Sequence, residues 1–353
     1  LCRAVGDKTK DQGRRTNDER FVLRLGDEKR MAKLRVTIIG LGLIGGSIGL
    51  ALKKSKLDLE VVGHDKDLGV AGRAVKRGAV DKTEWNLISA CDGASLIVLA
   101  MPLDGIRDTL AALHAHLAPG TLITDTAMTK VPVLEWARTL PRNVEFVGGN
   151  PIINPKREIS GQGIDAADAT LFQDATYCLV PSVSASSQAI DVMSGFVNVL
   201  GAKPYFIEAA EHDGLMAGVQ HLPALLATAY ASSIVTEQGW IERSKLASAV
   251  FRATLDLVPA DKHTASMQFL AHREDLIRWI DQSILKLREL RTWLATENTD
   301  ALGALVQTIA DERAKWQSGQ LDRGAFPAPE MQVAGSLERL FLGGLSDRLK
   351  RVK

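Results

Sequence analysis

Aromatic side chains are scarce, 5% of 353 residues, and cysteine is scarcer, with Cys2, Cys91 and Cys178 far apart in the chain. Three scattered cysteines, with no C-x-x-C and no Cys/His cluster at ligand spacing, argue against a disulfide framework and against a structural metal. A reducing cytoplasm is the expected compartment, and no metal is expected. Net charge is nearly absent too, 43 Lys and Arg standing against 42 Asp and Glu. Without a basic stripe and interleaved aromatics, nucleic acid is not an implied partner. No apolar run reaches the roughly 18 residues of a membrane span, so no membrane partner is implied either.

Hydrophobic residues make up 46% and charged residues 24%, the balance of an ordinary globular protein. The chain is longer than one hydrophobic core usually serves, so two domains are expected. Residues 1–30 are highly charged, carry six acidic side chains and lack an apolar core. They are expected to be a disordered tail or a misassigned start ahead of Met31. Residues 31–182 alternate strand and helix patterns, and residues 183–353 read as helices, with a short extended piece from Lys203 to Ile207 ahead of the long helix from about Ala209.

The most informative stretch is LRVTIIGLGLIGGSIGLALKK, residues 34–54. A β-branched run leads into Gly40, Gly42 and Gly45, a G-x-G-x-x-G turn, and then into a small, apolar helix face. The first glycine permits the tight turn, the second lets the backbone approach a pyrophosphate, and the third lets helix and strand pack closely. The unpaired N–H groups near Leu43 and Ile44 would face the phosphates. A second strand ends at Asp65, 20 residues beyond Gly45. A carboxylate there accepts hydrogen bonds from ribose hydroxyls and repels a 2′-phosphate. NAD is the expected cofactor, with NADP the alternative because Lys66 adjoins Asp65.

Further on, residues 94–100 (ASLIVLA) form a continuous apolar strand of the kind buried on both faces of a parallel sheet. In an open α/β sheet the ligand lies beyond the carboxyl ends of the strands, so Ala100, Pro102 and Thr126 are expected beside it. Strands over 121–124, 144–148 and 176–180 follow, the last closing the sheet at Pro181. The fold class is α/β, a Rossmann-type doubly wound parallel sheet followed by an all-helical domain. Within the latter, a long helix from about Ala209, kinked or broken at Pro223, should be buried on most sides. A second, over 269–297, carries Ile277, Ile280, Ile284, Leu287 and Leu294 as a core stripe. So much apolar helical surface is commonly buried against a second copy, and a homodimer is expected.

These residues also carry a family resemblance. The glycine turn, His64-Asp65, DTAMTK at 125–130, GGNP at 148–151, Leu171-Phe172, EHD at 211–213, QHLP at 220–223 and Phe251-Arg252 fall in the order seen in prephenate and arogenate dehydrogenases. The chain resembles that family from about Lys33 to about Leu294. The resemblance implies a Rossmann domain and a helical dimerisation domain with the substrate cleft between them. It implies NAD(P)-dependent oxidation of a ring hydroxyl, with loss of carbon dioxide, in tyrosine biosynthesis.

Three positions depart from the family pattern. The base histidine of its G-G-H-P motif is Asn150 here, and asparagine cannot accept a proton. The serine of its D-x-G-S-x-K motif is Met128, and its substrate-gripping arginine aligns with Asp256. Three positions survive: His221, His212 and Arg252. His221 is the expected replacement base, its alternative being a packed helical histidine. His212 is expected to be structural, and Arg252 either clamps a substrate carboxylate or makes an interface ion pair. The expected catalytic set is His221, Asn150 and Arg252. Lys156 and Arg157 are candidate cations to replace the missing arginine, and His114, His116, His263 and His272 are expected at the surface. Two other readings stay open: a dehydrogenase of a different hydroxy acid, and a homologue that binds NAD without turnover.

Overall fold

The structure, a computed structural model, describes residues 33–321. The expectation for residues 1–30 lies outside the described residues, as does the end of the stretch over 183–353. Leu34–Ile39 (β1), Leu59–His64 (β2), Lys82–Thr83 (β3), Leu96–Leu99 (β4), Leu122–Asp125 (β5), Glu145–Ile152 (β6), Thr176–Pro181 (β7) and Lys203–Phe206 (β8) form one sheet in the order β3-β2-β1-β4-β5-β6-β7-β8. The first six strands pair in parallel. Strands β1 and β4 alternate faces: Val36, Ile38, Leu96 and Val98 join one core layer, while Ile39, Ile97 and Leu99 join the other. Both faces are covered by helices, which is why these strands read as continuous apolar runs.

Helices Leu43–Lys54 (α1), Leu68–Lys76 (α2), Leu87–Cys91 (α3), Leu103–Leu113 (α4) and Val131–Ala137 (α5) intervene between the parallel strands. After β6 the pattern changes. The β6–β7 connection holds only one short 3₁₀ turn, Gly163–Ala166, in place of a crossover helix, and β7 therefore returns antiparallel to β6 with Asn150 opposite Cys178. Ser187–Val199 (α6) then provides a crossover, and β8 lies parallel to β7. The doubly wound, mostly parallel sheet is as expected, with β6 and β7 antiparallel, and the expected close at Pro181 is corrected because β8 extends the sheet.

The remaining described residues are helical: Ala209–Met216 (α7), a π turn Ala217–His221, Leu222–Val235 (α8), Trp240–Lys245 (α9), Ala249–Leu255 (α10), Lys262–Ala271 (α11), Arg273–Ala295 (α12) and Thr299–Gln317 (α13). None is long and apolar enough to cross a membrane. The helix expected from Ala209 is interrupted by the π turn, and Pro223 sits in the first turn of α8, where its missing N–H costs nothing. The helix expected over 269–297 is split at His272, between α11 and α12.

Two packing expectations are also corrected. Leu215 and Val219 are 51% and 72% exposed, so the first of these helical stretches is not buried on most sides. The stripe of Ile277, Ile284, Leu287 and Leu294 is exposed rather than core. Helix α12 turns a different face inward, with Leu276 buried and Trp279 Nε1 donating to the Gly214 carbonyl at 3.3 Å. A Cβ at Gly218 would lie 2.8 Å from the Trp279 ring, so the bare glycine lets α12 settle on the π turn.

Candidate active site

At the end of β1 the chain turns through Gly40, whose φ is +91°, a conformation L side chains rarely adopt. A Cβ there would come 2.2 Å from the Ala100 carbonyl oxygen, and one at Gly45 would come 1.9 Å from that of Gly40. The turn thus presses against the end of β4 and against its own helix, as a close-packed dinucleotide turn requires. Gly42 differs: a Cβ there would meet nothing within 4 Å. No side chain caps α1, and its first turn, starting at Leu43 and Ile44, holds no acidic residue. Free N–H groups over open space at a helix start fit a phosphate.

Asp65 follows β2, and its Oδ2 accepts from Leu41 N at 2.8 Å, tying it to the glycine turn. Its Oδ1 accepts from Asp67 N at 2.9 Å, and each oxygen retains a lone pair for a ribose hydroxyl. Ala100 and Pro102 come directly after β4, Pro102 preceding α4. Thr126 follows β5 and donates its N–H to the Leu99 carbonyl at 3.1 Å. All nine expected cofactor residues lie along one edge of the sheet, at the carboxyl ends of β1, β2, β4 and β5.

The same edge carries a buried polar cluster. Asp125, the last residue of β5, and Lys130 are fully buried and paired. Lys130 Nζ also donates to the Gly149 carbonyl at 2.7 Å, while Asp125 accepts from Ala127 N at 2.9 Å and Gly149 N at 3.1 Å. Burial pushes the Lys130 ammonium's pKa down, and the Asp125 carboxylate works against that. A Cβ on Gly148 would approach Lys130 Cδ at 3.2 Å, and one on Gly149 would meet the Asp125 carbonyl at 2.6 Å. The paired glycines of GGNP are thus the space that Lys130 and the β5 end occupy.

Beside this pair, Asp213 reaches across from α7 and accepts from Lys130 N and Val131 N at 2.7 and 2.8 Å, capping α5. Burial works to raise its carboxyl, but hydrogen bonds from His212 and those two N–H groups prevail and hold it below its ordinary value. His212 Nδ1 donates to Asp213 Oδ1 at 2.8 Å, and its Nε2 accepts from Asn150 Nδ2 at 3.0 Å. Both ring nitrogens of His212 are engaged by Asp213 and Asn150. Asn150 is 1% exposed and lies within β6, which continues to Ile152.

His221 ends the π turn and is 3% exposed, with no partner for its buried Nε2. Its ring lies against His272 at 4.5 Å between centroids, tilted 35°, and edge-on to Phe269. Burial, with His272 adding to it, lowers the His221 pKa to about 4. His272 was expected at the surface and is corrected: it is 2% exposed. The chain bends there between α11 and α12, which turns the side chain inward to Thr129, 2.8 Å from its Nε2. His263 is exposed as expected, 3.2 Å from Asp104.

Other expected residues stand apart from this cluster. Arg252 and Asp256 are 85% and 70% exposed and face each other at 3.9 Å, one turn apart on α10. Arg157 is tied to Asp168 and Thr170, each at 2.8 Å, which leaves it engaged within its own loop. Lys156 is exposed. Asp125, Thr129, Lys130 and Asp213 lie in DTAMTK and EHD but have no role predicted from the sequence. The available signal was the lone lysine in an otherwise small, polar loop directly after a buried strand.

A glycine turn at the carboxyl edge of a Rossmann sheet, with a buried imidazole and carboxylate cluster on the same edge, fits a nucleotide-dependent dehydrogenase. Family models agree: "Prephenate dehydrogenase, nucleotide-binding domain" matches residues 48–206, and "Prephenate dehydrogenase, dimerization domain" matches 208–308. The chain belongs to the prephenate dehydrogenase family. It is 29% identical over 310 residues to the prephenate dehydrogenase of Bacillus subtilis (strain 168), covering 84% of this chain and 80% of that one. Cyclohexadienyl dehydrogenase of Zymomonas mobilis is 28% identical, covering 76% and 90%. Among solved structures, Synechocystis arogenate dehydrogenase superposes with a TM-score of 0.67 at 26% identity, covering 80% of this chain and all (100%) of that one. Prephenate dehydrogenase from A. aeolicus shares the fold with a TM-score of 0.73 at 20% identity, covering 81% and 99%.

Proposed function

We propose that this chain is an NAD-dependent dehydrogenase that oxidises the ring hydroxyl of prephenate or arogenate, with loss of carbon dioxide, in tyrosine biosynthesis. The observation that carries this reading is the buried imidazole cluster at the carboxyl end of β5, on the edge where the glycine turn fits a dinucleotide. Relatives named prephenate, cyclohexadienyl and arogenate dehydrogenases support both substrates.

Hydride acceptance is the chemistry a bound nicotinamide supplies. The chain's own residues do the rest. His221, neutral at pH 7 and lacking a hydrogen bond at Nε2, takes the hydroxyl proton. Asn150 cannot take it, and its amide instead holds the His212 ring. Arg252, 85% exposed and 3.9 Å from Asp256, swings to a substrate carboxylate. Asp65 favours NAD over NADP. An Asp65→Ser variant is expected to raise the KM for NAD about tenfold, the scale of a lost hydrogen bond to a charged group, and to narrow the preference over NADP. An unchanged cofactor ratio in initial-rate assays would remove Asp65 from that role.

The protein is proposed to act in the cytoplasm as a homodimer. The exposed apolar residues Leu215, Val219, Ile277, Ile284 and Leu287 on α7, the π turn and α12 support the dimer. Light scattering during gel filtration tests it: a monomer at micromolar concentration would end the proposal.

Reduced-nicotinamide absorbance with purified protein, NAD or NADP, and prephenate or arogenate tests the activity. Turnover by the unmodified protein supports it. The second reading, NAD binding without turnover, is favoured by the amide at position 150. Tight NAD binding with no oxidation of either compound, in the unmodified chain and in Asn150→His alike, would establish that reading instead. Oxidation of some other hydroxy acid alone would fit the charge reversal at Asp256.

A further inference from the structure

Among the described residues two buried ring nitrogens form no hydrogen bond, His221 Nε2 and His272 Nδ1, and they belong to rings in tilted contact, 4.5 Å between centroids. Buried polar atoms without partners are uncommon and call for an explanation. Two on touching side chains, brought together from α12 and from the end of the π turn, have a shared one. We propose that His221 and His272 work as one proton-accepting couple, in which His221 takes the substrate's hydroxyl proton and His272, hung on Thr129, is the positioning residue that fixes the accepting ring. This rests on the dehydrogenase reading above and names a residue that reading leaves out.

Three features of the fold build the couple. The π turn Ala217–His221 displaces His221 from the register an unbroken helix would give it, and π turns occur frequently at functional sites. The bare Gly218 lets Trp279 sit on that turn, and this seats α12, whose first flanking residue is His272. Thr129, in the loop after β5, then holds His272 Nε2 at 2.8 Å. The couple therefore stands at the carboxyl edge of the sheet, next to the Asp125–Lys130 pair and on the edge that carries the glycine turn.

The groups facing the two rings are His212 and Asp213 from α7 and, at His272, Asp275 from α12, while α11 contributes the uncharged Phe269. Asp213 is the carboxylate that stabilises the imidazolium formed. In the step, the substrate O–H bond breaks and its proton forms an N–H bond on His221. The oxygen's electron pair becomes the second bond of the carbonyl. A bound nicotinamide dinucleotide would supply the acceptor for the hydride that leaves the same carbon, balancing the oxidation of that carbon by one electron pair.

The test uses the full chain with His272→Gln, Thr129→Val and Thr129→Ser. Ring-proton NMR of the substrate-free protein, with His221 assigned by its absence in His221→Asn, gives the first readout. In His272→Gln the His221 midpoint is expected to rise from about 4 toward its ordinary value. The acid limb of kcat/KM should follow it upward, and kcat should fall about tenfold or more with KM little changed. Thr129→Val should lower kcat without a change of charge, and Thr129→Ser should restore it. Should His272→Gln fail to fold, the Thr129 pair carries the test. An unmoved His221 midpoint and acid limb would overturn the couple. If the unmodified chain oxidises neither prephenate nor arogenate, the dehydrogenase reading fails by itself, and the NMR midpoint still decides whether the two rings are coupled.

Discussion

A Lys130→Met variant is expected to lose about 3–5 kcal/mol of stability in urea unfolding, the cost of stranding one member of a buried ion pair. Asp125 and Lys130 are both 0% exposed, so no water can solvate the carboxylate once the ammonium is gone. The loss is more than electrostatic, because the Gly149 carbonyl would lose the Lys130 donor at 2.7 Å. Asp125 would keep the N–H groups of Ala127 and Gly149, which is why the expected cost does not exceed that range. The double variant Asp125→Asn with Lys130→Met removes both charges and should recover most of the loss, since replacing a buried pair outright is often near neutral. A single variant as stable as the unmodified protein would show that the pair does not hold β5 to β6. Because those strands carry the loop with Thr129 and the strand with Asn150, the single variant should also weaken activity through displaced geometry.

That pair shows what a sequence reading can and cannot see. The dinucleotide turn was legible because its chemistry is local: three glycines, a strand before and a helix after fix the backbone with little help from elsewhere. The structure shows each glycine doing separate steric work, with Gly40 and Gly45 against backbone carbonyls and Gly42 open to a ligand. The buried polar cluster is assembled from β5, β6, α7, the π turn and the α11–α12 bend, which are far apart in the chain. Its members meet only after folding. His272 lies in FLAHRED, with nothing around it to separate a surface histidine from a buried one. Only the bend that ends α11 turns it inward. Likewise, the antiparallel return of β7 depends on the missing crossover helix, a property of the connection rather than of strand residues, which read as apolar either way.

The helical half failed the core expectation for a related reason. Periodicity identifies an apolar face but does not say which partner covers it. On α12 the inward face is Leu276 and Trp279, meeting Gly214 and Gly218. The longer stripe of Ile277, Ile284, Leu287 and Leu294 is left outward in the single chain, the arrangement expected where a second copy supplies the cover.

A His221→Asn variant is expected to lower kcat about 10²–10⁴-fold, the usual worth of a general base, with KM changing little. Asparagine keeps a polar group of similar reach and cannot take the proton. The substitution breaks no hydrogen bond at Nε2, because none is made there, and the protein should remain folded with the Phe269 contact loosened. The acid behaviour gives an independent check. His221 in the folded protein has a pKa of about 4, below its ordinary 6.5, so between those values the unfolded chain binds the extra proton. Stability therefore falls as pH drops from 6.5 toward 4 and rises in the other direction. The variant lacks this group and should lose less stability over that window, leaving the smaller contribution of His272, whose pKa burial also lowers. Retained turnover in His221→Asn would exclude it as the base. The proton would then have to pass to another acceptor, and the remaining imidazole with an unpartnered buried nitrogen, His272, would be the first to substitute.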